Sequence, residues 1–314
     1  MMGDPQQDFS QGAAYVDGRY LPLNQAGIPL SDFGFTKSDV TYDVVHVHKG
    51  GFFRLGDHMA RFAESMRGYR MQPTETLDQM REIAARCVVL SGMKDACVSF
   101  AATRGAPTKP GWRRPDQCRN TFMCWVWPWP EVITPELADK GASLMISSIV
   151  RFPEASINPT WKNFQWRDLS NSLWEALDNG YDQAILLDYD GYVTEGPGYN
   201  IFVVKGDRLL TPDRGALKGV TARSVIDLAP ELGMTADYAP LTKKDLLEAD
   251  EVFLSTTAFG IMPVSRVDDH VMANGITGPV SRKVMDTYWR KKDEGWLITP
   301  INYADTENPL KTAA

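Results

Sequence analysis

Short apolar-rich runs, AAYV and RYLPL, flank the polar turn Asp17-Gly18, and TYDVVHVH and GFFRL flank Lys49-Gly50 in the same way. Each pattern predicts a β-hairpin. The pattern then changes: Met59, Phe62, Met66 and Tyr69 in GDHMARFAESMRGYRM fall three or four apart, the spacing of one helix face. TLDQMREIAARCVVLSG repeats it and ends on Gly92, a helix C-terminal signal. ACVSFAATRG and TFMCWVW return to strand character. Between them GAPTKPGWRRPDQCRN, with three prolines and two glycines, is a loop that can continue neither strand.

WPWPEVITPEL breaks the pattern again. It marks an interdomain linker over residues 129–135, with a small α+β domain over 1–128 and a larger domain over 136–314 that holds Lys162 and Glu195. The second part reads as the strand SLMISSIVRF, an irregular stretch, the helix RDLSNSLWEALDNG closed by Gly180, and strands AILLD and YVTE about Asp190-Gly191. The strand NIFVV follows, and this group has the character of antiparallel strands. VTARSVIDLAPELG is a helix with Thr221 as its N-cap, Pro230 shortening it and Gly233 ending it; DEVFLSTTAFG is a further strand. Residues 304–314 read as a frayed end.

Composition narrows the function. A chain of 314 residues with 43% hydrophobic and 23% charged content is a folded protein large enough for two domains. A net charge of −7 and a pI near 5.2 argue against nucleic acid and anionic lipid as partners, and favour a small molecule. Cys87, Cys97, Cys118 and Cys124 show no metal-ligand spacing and read as free thiols in a reducing cytoplasm. The start, MMGDPQQDFSQGAAY, lacks the basic and apolar regions of a signal peptide, and no apolar run reaches membrane-spanning length.

Candidate chemistry begins at NPTWKNFQW, where Lys162 stands among Trp161, Phe164 and Trp166 with no acidic neighbour. A lysine in apolar surroundings loses hydration of its ammonium, and the neutral amine is a Schiff-base nucleophile; alternatively its methylenes lie on an indole while the charge stays in water. Glu195, in the glycine-rich corner TEGPGYN, is either a solvated strand-end acid or the carboxylate that partners a pyridinium nitrogen. LKGVTARSV and STTA offer backbone N–H groups and hydroxyls for a phosphate, or merely a helix cap and β-formers. Spacing alone pairs Arg61 with Asp57 and Glu64 on a helix surface. His46 and His48 share one strand face, with no third metal ligand visible in the sequence, so no metal is expected.

Taken in order, YVDG, IPLSDFGFTKSDVTYDVV, FFRLGDHMARF, PTWKNFQW, TEGPGYNIFVV, TPDRGALKGVT and STTAFGIMP resemble the class IV, fold type IV, pyridoxal-phosphate aminotransferases, with the nearest likeness to the (R)-selective amine transaminases. The resemblance implies an α+β fold with a small N-terminal domain and a larger β-rich domain. It also implies a homodimer with sites near the subunit interface, and ping-pong amino transfer from an amine to a keto acid such as pyruvate. Lys162 is then the Schiff-base lysine and Glu195 the partner of the pyridine nitrogen. Arg61, Val220, Thr221 and Thr257 match phosphate-binding positions, which replaces the surface-pair reading of Arg61. Tyr42, Val44, His46, Trp166 and Phe259 fall to the substrate pocket, and Arg113 or Arg114, with Lys37 as rival, to the substrate carboxylate.

The match has departures: Pro197 in the corner, Ala222 before Arg223 where a basic residue is usual, Lys37 where the subgroup often has histidine, and Phe259 where glycine is common. A D-amino-acid or branched-chain aminotransferase, or an aminodeoxychorismate-lyase-like enzyme, shares the fold and stands as the alternative.

Overall fold

The computed structural model describes residues 7–310. Two compact units divide the described chain. The first holds the residues through Pro130, Trp161–Phe164 and those from Gly295 on; the second holds Glu131–Thr160 and Gln165–Glu294. The change of unit at 130/131 falls inside the stretch read as a linker, whereas Lys162 and the C-terminal segment pack with the first unit, where the sequence reading had them in the second.

The first unit is built on a seven-stranded antiparallel sheet. Its order is Ile298–Pro300, Gly51–Phe53, Val40–His48, Ala96–Thr103, Thr121–Pro128, Ala13–Val16, Arg19–Pro22. Positive φ at Asp17 and Gly18 (52° and 73°) and at Lys49 and Gly50 (48° and 84°) makes both hairpin turns, which is why glycine follows the polar residue in each. Helices Leu55–Gly68 and Leu77–Ser91 cover one sheet face, burying Met59, Phe62, Ile83 and Val88 against Val45, Val47, Val98 and Phe100. Truncating a fully buried Phe62 to alanine should cost about 3–5 kcal/mol. The second helix starts with a reciprocal capping box, Thr76 and Gln79, and stops at Gly92 in the left-handed conformation.

Residues 304–310, read as frayed, instead fold back. Leu310 and Tyr303 pack on this core, Tyr303 Oη donates to the Met93 carbonyl at 2.6 Å, and Asn302 N–H donates to the Pro309 carbonyl at 2.8 Å. The rest of that stretch, 311–314, lies outside the described residues, as do residues 1–6 of the N-terminal reading.

The second unit carries the other sheet, in the order Thr235–Ala239, Arg208–Pro212, Asn200–Lys205, Glu251–Thr256, Gly260–Val267, Ala142–Val150, Gln183–Leu187, with His270–Val271 beside Gly260–Val267. It is mixed, not wholly antiparallel. Arg208–Pro212 with Thr235–Ala239, and Ala142–Val150 with both Gly260–Val267 and Gln183–Leu187, are parallel. The chain between Ala142–Val150 and Gln183–Leu187 includes the helix Arg167–Asp178, and such crossovers make parallel pairs that hydrophobicity alone does not distinguish. YVTE forms only isolated bridges, Leu187 to Val193 and Tyr192 to Thr242, in place of the expected strand. Helix Pro279–Asp293, which packs on Gly260–Val267, was not singled out in the sequence. Among the described residues no helix is long and apolar enough to cross a membrane.

Candidate active site

In the first unit the irregular stretch around Lys162 is fixed by its backbone. Thr41 Oγ1 donates to the Lys162 carbonyl at 2.6 Å, Tyr42 N–H reaches the same oxygen at 3.4 Å, and Lys162 N–H donates to Ser65 Oγ at 3.2 Å. The Trp161 ring lies so close to Gly68 that a Cβ there would stand 2.3 Å from it, which is why that helix closes on glycine. Lys162 Nζ sits 4.6 Å from the centre of the Tyr42 ring, and Phe164 tilts onto the same ring at 4.3 Å. The backbone anchors orient the Lys162 side chain over that aromatic face.

Beneath it lies a buried polar triad. Asp43 is completely enclosed, accepts from Arg61 Nε and Nη2 at 2.7 Å each, and lies 2.8 Å from His58 Nδ1. Burial pushes the Asp43 carboxyl up, but the Arg61 charge and the His58 hydrogen bond outweigh it and hold the group well below the usual carboxylate range. His58 goes the other way. Burial lowers its pKa, against the pull of Asp43, so the ring is neutral at pH 7. The surface pairing read from spacing is thus corrected: Asp57 pairs with Arg54 and Glu64 with Arg67, while Arg61 turns inward.

In the second unit Glu195 is buried, with Oε1 accepting from Arg151 Nη2 at 2.8 Å and Oε2 from Leu217 N–H at 2.9 Å. Arg151, itself buried, also donates to Asp168. Burial would lower the Arg151 pKa, but its two carboxylate neighbours raise it. The corner cannot accept a side chain at Gly196, where a Cβ would meet the Tyr199 ring at 2.1 Å and the Ala184 carbonyl at 2.4 Å. Gly198, at φ +88°, backs onto Trp166.

Asn200 joins this corner to a helix start: its Nδ2 donates to the Leu217 carbonyl at 2.7 Å, and its Oδ1 occupies the place of a Gly219 Cβ. Gly219, not Thr221, is the N-cap of Val220–Leu228, so Thr221 lies buried one residue inside the first turn. Pro230 ends the α-helix at Leu228 and begins a 3-10 turn that closes on Gly233. Thr256 Oγ1 donates to the Gly198 carbonyl at 2.6 Å, and Thr257 follows in the turn. The corner of Glu195, the helix start at Val220 and Thr221, and the turn with Thr257 are therefore tied together at Asn200 and Gly198. A helix N-terminus with no side-chain cap, next to buried hydroxyls, suits a phosphate, and a carboxylate braced by a guanidinium suits a protonated ring nitrogen.

Other predicted residues are more dispersed. Tyr42 and His46 are buried and Val44 is half-buried on the sheet face away from the helices, with His46 stacked on Trp129 at 3.5 Å. Phe259 is buried 6.2 Å from the Tyr199 ring. Lys37 is exposed over the Phe33 ring and donates to the Arg113 carbonyl at 3.0 Å; Arg114 forms an exposed pair with Asp116 at 2.6 Å. Lys37, Lys109, Trp112 and Arg113 line a cleft of about 670 Å³.

The sequence reading passed over Asp43, His58, Arg151, Asp168 and Asn200. Asp43 left a signal, an acid on the strand parity of Val45 and Val47, the buried face. Arg151 and Asp168 left none, since their meeting depends on folding.

A two-sheet α+β chain with these groups has the make-up of a class IV aminotransferase, and residues 41–267 match the family model "Amino-transferase class IV". The chain belongs to that family. It is 32% identical over 269 residues to a branched-chain-amino-acid aminotransferase of Salmonella typhimurium, covering 81% of this chain and 85% of the relative. Among solved structures it is similar to the T.th. branched-chain amino acid aminotransferase with pyridoxamine 5'-phosphate, with TM-score 0.86, 28% identity, and coverage of 93% and 99%. The Thermobaculum terrenum branched-chain amino acid aminotransferase in PLP form gives TM-score 0.81, 26% identity, and coverage of 92% and 96%. These relatives carry the name that the sequence reading held as its alternative, not that of (R)-selective amine transaminases.

Proposed function

We propose that this pyridoxal-phosphate-dependent aminotransferase moves an amino group from a branched-chain amino acid to a keto acid, with Lys162 as its catalytic base. The observation that carries the role of Lys162 is its three-point backbone anchorage beneath an amine poised over Tyr42. The choice of donor rests on the names of the relatives.

Bound pyridoxal phosphate supplies a reactive aldehyde and a ring that withdraws electrons from the carbon bearing the amino group. Lys162 Nζ would hold the cofactor covalently, and as a free amine it would take the proton from the substrate α-carbon. Glu195 would hold positive charge at the ring nitrogen. A carboxylate offers about four acceptor sites, so the bonds from Arg151 and Leu217 leave room for that contact. The N–H groups at Val220 and Thr221 and the hydroxyls of Thr221 and Thr257 would hold the phosphate, a role that the resemblance also implies for Arg61. Asp43 fixes the Arg61 guanidinium through its paired bonds.

The substrate carboxylate falls to the basic cleft, with Arg113 favoured over Arg114, whose charge already faces Asp116. A second reading, an (R)-amine donor with pyruvate, is favoured by the exposed loop position of Arg113. An arginine there can meet a carboxylate and withdraw to water when the substrate has none. Leu30 and Phe35, 78% and 60% exposed, support the homodimer implied by the resemblance, which size-exclusion with light scattering would test.

Initial rates with L-leucine, a D-amino acid and an (R)-aryl amine, each with a keto-acid acceptor, decide the donor. L-leucine should be fastest; an (R)-amine preference would replace the proposal by the second reading.

A further inference from the structure

The geometry points to a divalent transition-metal site formed by His46, His48 and Asp95 on the first unit's sheet. Period two puts His46 and His48 on one face of Val40–His48. The neighbouring strand runs antiparallel with Cys97 opposite His46 and Ala96 opposite Val47, which brings Asp95, one residue further on, beside His48. One ligand atom from each of His46, His48 and Asp95 lies within 4.8 Å of the other two. Zinc bonds of about 2.0–2.1 Å place tetrahedral ligands roughly 3.3 Å apart. His48 Nδ1 and Asp95 Oδ1, at 3.6 Å, are already near that spacing, and a ligand atom of His46 lies within 4.8 Å of the other two.

The supports of such a site are present as well. His46 is held flat by Trp129, with ring planes 14° apart, and the Asp95 carboxylate accepts from Lys49 N–H at 3.1 Å. Partners of this kind orient metal ligands. The Asp95 side chain is 52% exposed, which gives an ion a path from solvent. Two imidazoles and one carboxylate select zinc or a neighbouring first-row divalent ion over magnesium or calcium, and three protein ligands leave a fourth position for water. The pair of histidines was visible in the sequence; the third ligand was not, because Asp95 lies 47 positions from His48 and reaches it only through strand pairing.

The test is zinc titration of the cofactor-loaded protein in competition with a chromogenic chelator. Wild type should bind one zinc per chain. His48→Ala should weaken binding about a hundredfold or more, and Asp95→Asn, a half-exposed and isosteric change, at least about tenfold, against the ~10–100-fold typical of outer-shell changes. Unchanged thermal melting of Asp95→Asn separates loss of a ligand from loss of fold. Absence of stoichiometric zinc in wild type, wild-type affinity in both variants, or an anomalous-scattering peak away from these three side chains would overturn the site.

Discussion

The two polar clusters are opposites in charge. In the first unit one enclosed carboxylate, Asp43, stands between a guanidinium and an imidazole; in the second, one enclosed guanidinium, Arg151, stands between the carboxylates of Glu195 and Asp168. With His58 neutral, Asp43 has one guanidinium partner in the first cluster, whereas Arg151 has two carboxylate partners in the second. A buried charge is tolerated only when paired, so each unit assembles its pairing from separate segments of the chain. Under the proposed function, one unit supplies the Lys162 amine and the other the carboxylate of Glu195.

Lys162→Ala removes that amine and should break the functional contrast most completely. Nearly all turnover should vanish along with the cofactor's lysine-dependent visible absorbance, while circular dichroism stays native. Normal turnover would remove Lys162 from the chemistry.

Next in size is a crossed pair of carboxylate changes. Asp43→Asn leaves Arg61 without its buried counter-charge and should cost about 3–5 kcal/mol of stability in denaturant unfolding. Glu195→Gln keeps Arg151 paired with Asp168, so its main effect should be kinetic, a single-turnover loss of two or three powers of ten, or roughly 3–4 kcal/mol in the barrier. Equal destabilisation by both substitutions would erase the distinction between the clusters.

A smaller effect separates them by pH. His58 has a lowered pKa in the fold, so as pH falls through the ordinary histidine value of about 6.5 the unfolded chain takes up a proton that the native ring refuses, and stability declines. Asp43, held low, adds its own loss only as pH falls below the ordinary carboxylate value of about 3.9. Unfolding midpoints between pH 7 and 5 should therefore fall in wild type and flatten in His58→Gln. An unchanged slope in the variant would assign the decline to other groups.

The mildest changes probe the basic cleft. Arg113→Ala should raise the keto-acid KM severalfold, about 1 kcal/mol, and leave that of a carboxylate-free amine alone. Arg114→Ala, which removes only an exposed pair, should stay within about 0.5 kcal/mol on either measure. The reverse ranking would place the carboxylate on the other arginine.

Much of the fold was legible locally. Both hairpin turns, the capping box at Thr76 and the stop at Gly92 are written in residues next to one another, because positive φ and orphan N–H groups at helix ends are local demands. Lys162 stood out for a local reason too, a cation among aromatics. Arg61 shows where such reading fails: i±3 and i±4 spacing favoured Asp57 and Glu64, but a carboxylate enclosed on the strand 18 residues earlier binds the guanidinium more strongly than two solvated acids could.

By itself, then, the sequence determined the hairpins, the helices over Leu55–Gly68, Leu77–Ser91 and Arg167–Asp178, and the cofactor family, and it pointed to the Lys162 amine. Tertiary structure decided which unit holds that amine, that Asp43 and Arg151 anchor two oppositely charged clusters, that part of the second sheet runs parallel, and that Asp95 stands beside two histidines. The physical reason is that periodicity and turn chemistry act over a few residues, whereas a buried charge takes its partner from whatever segment folding brings within hydrogen-bonding distance.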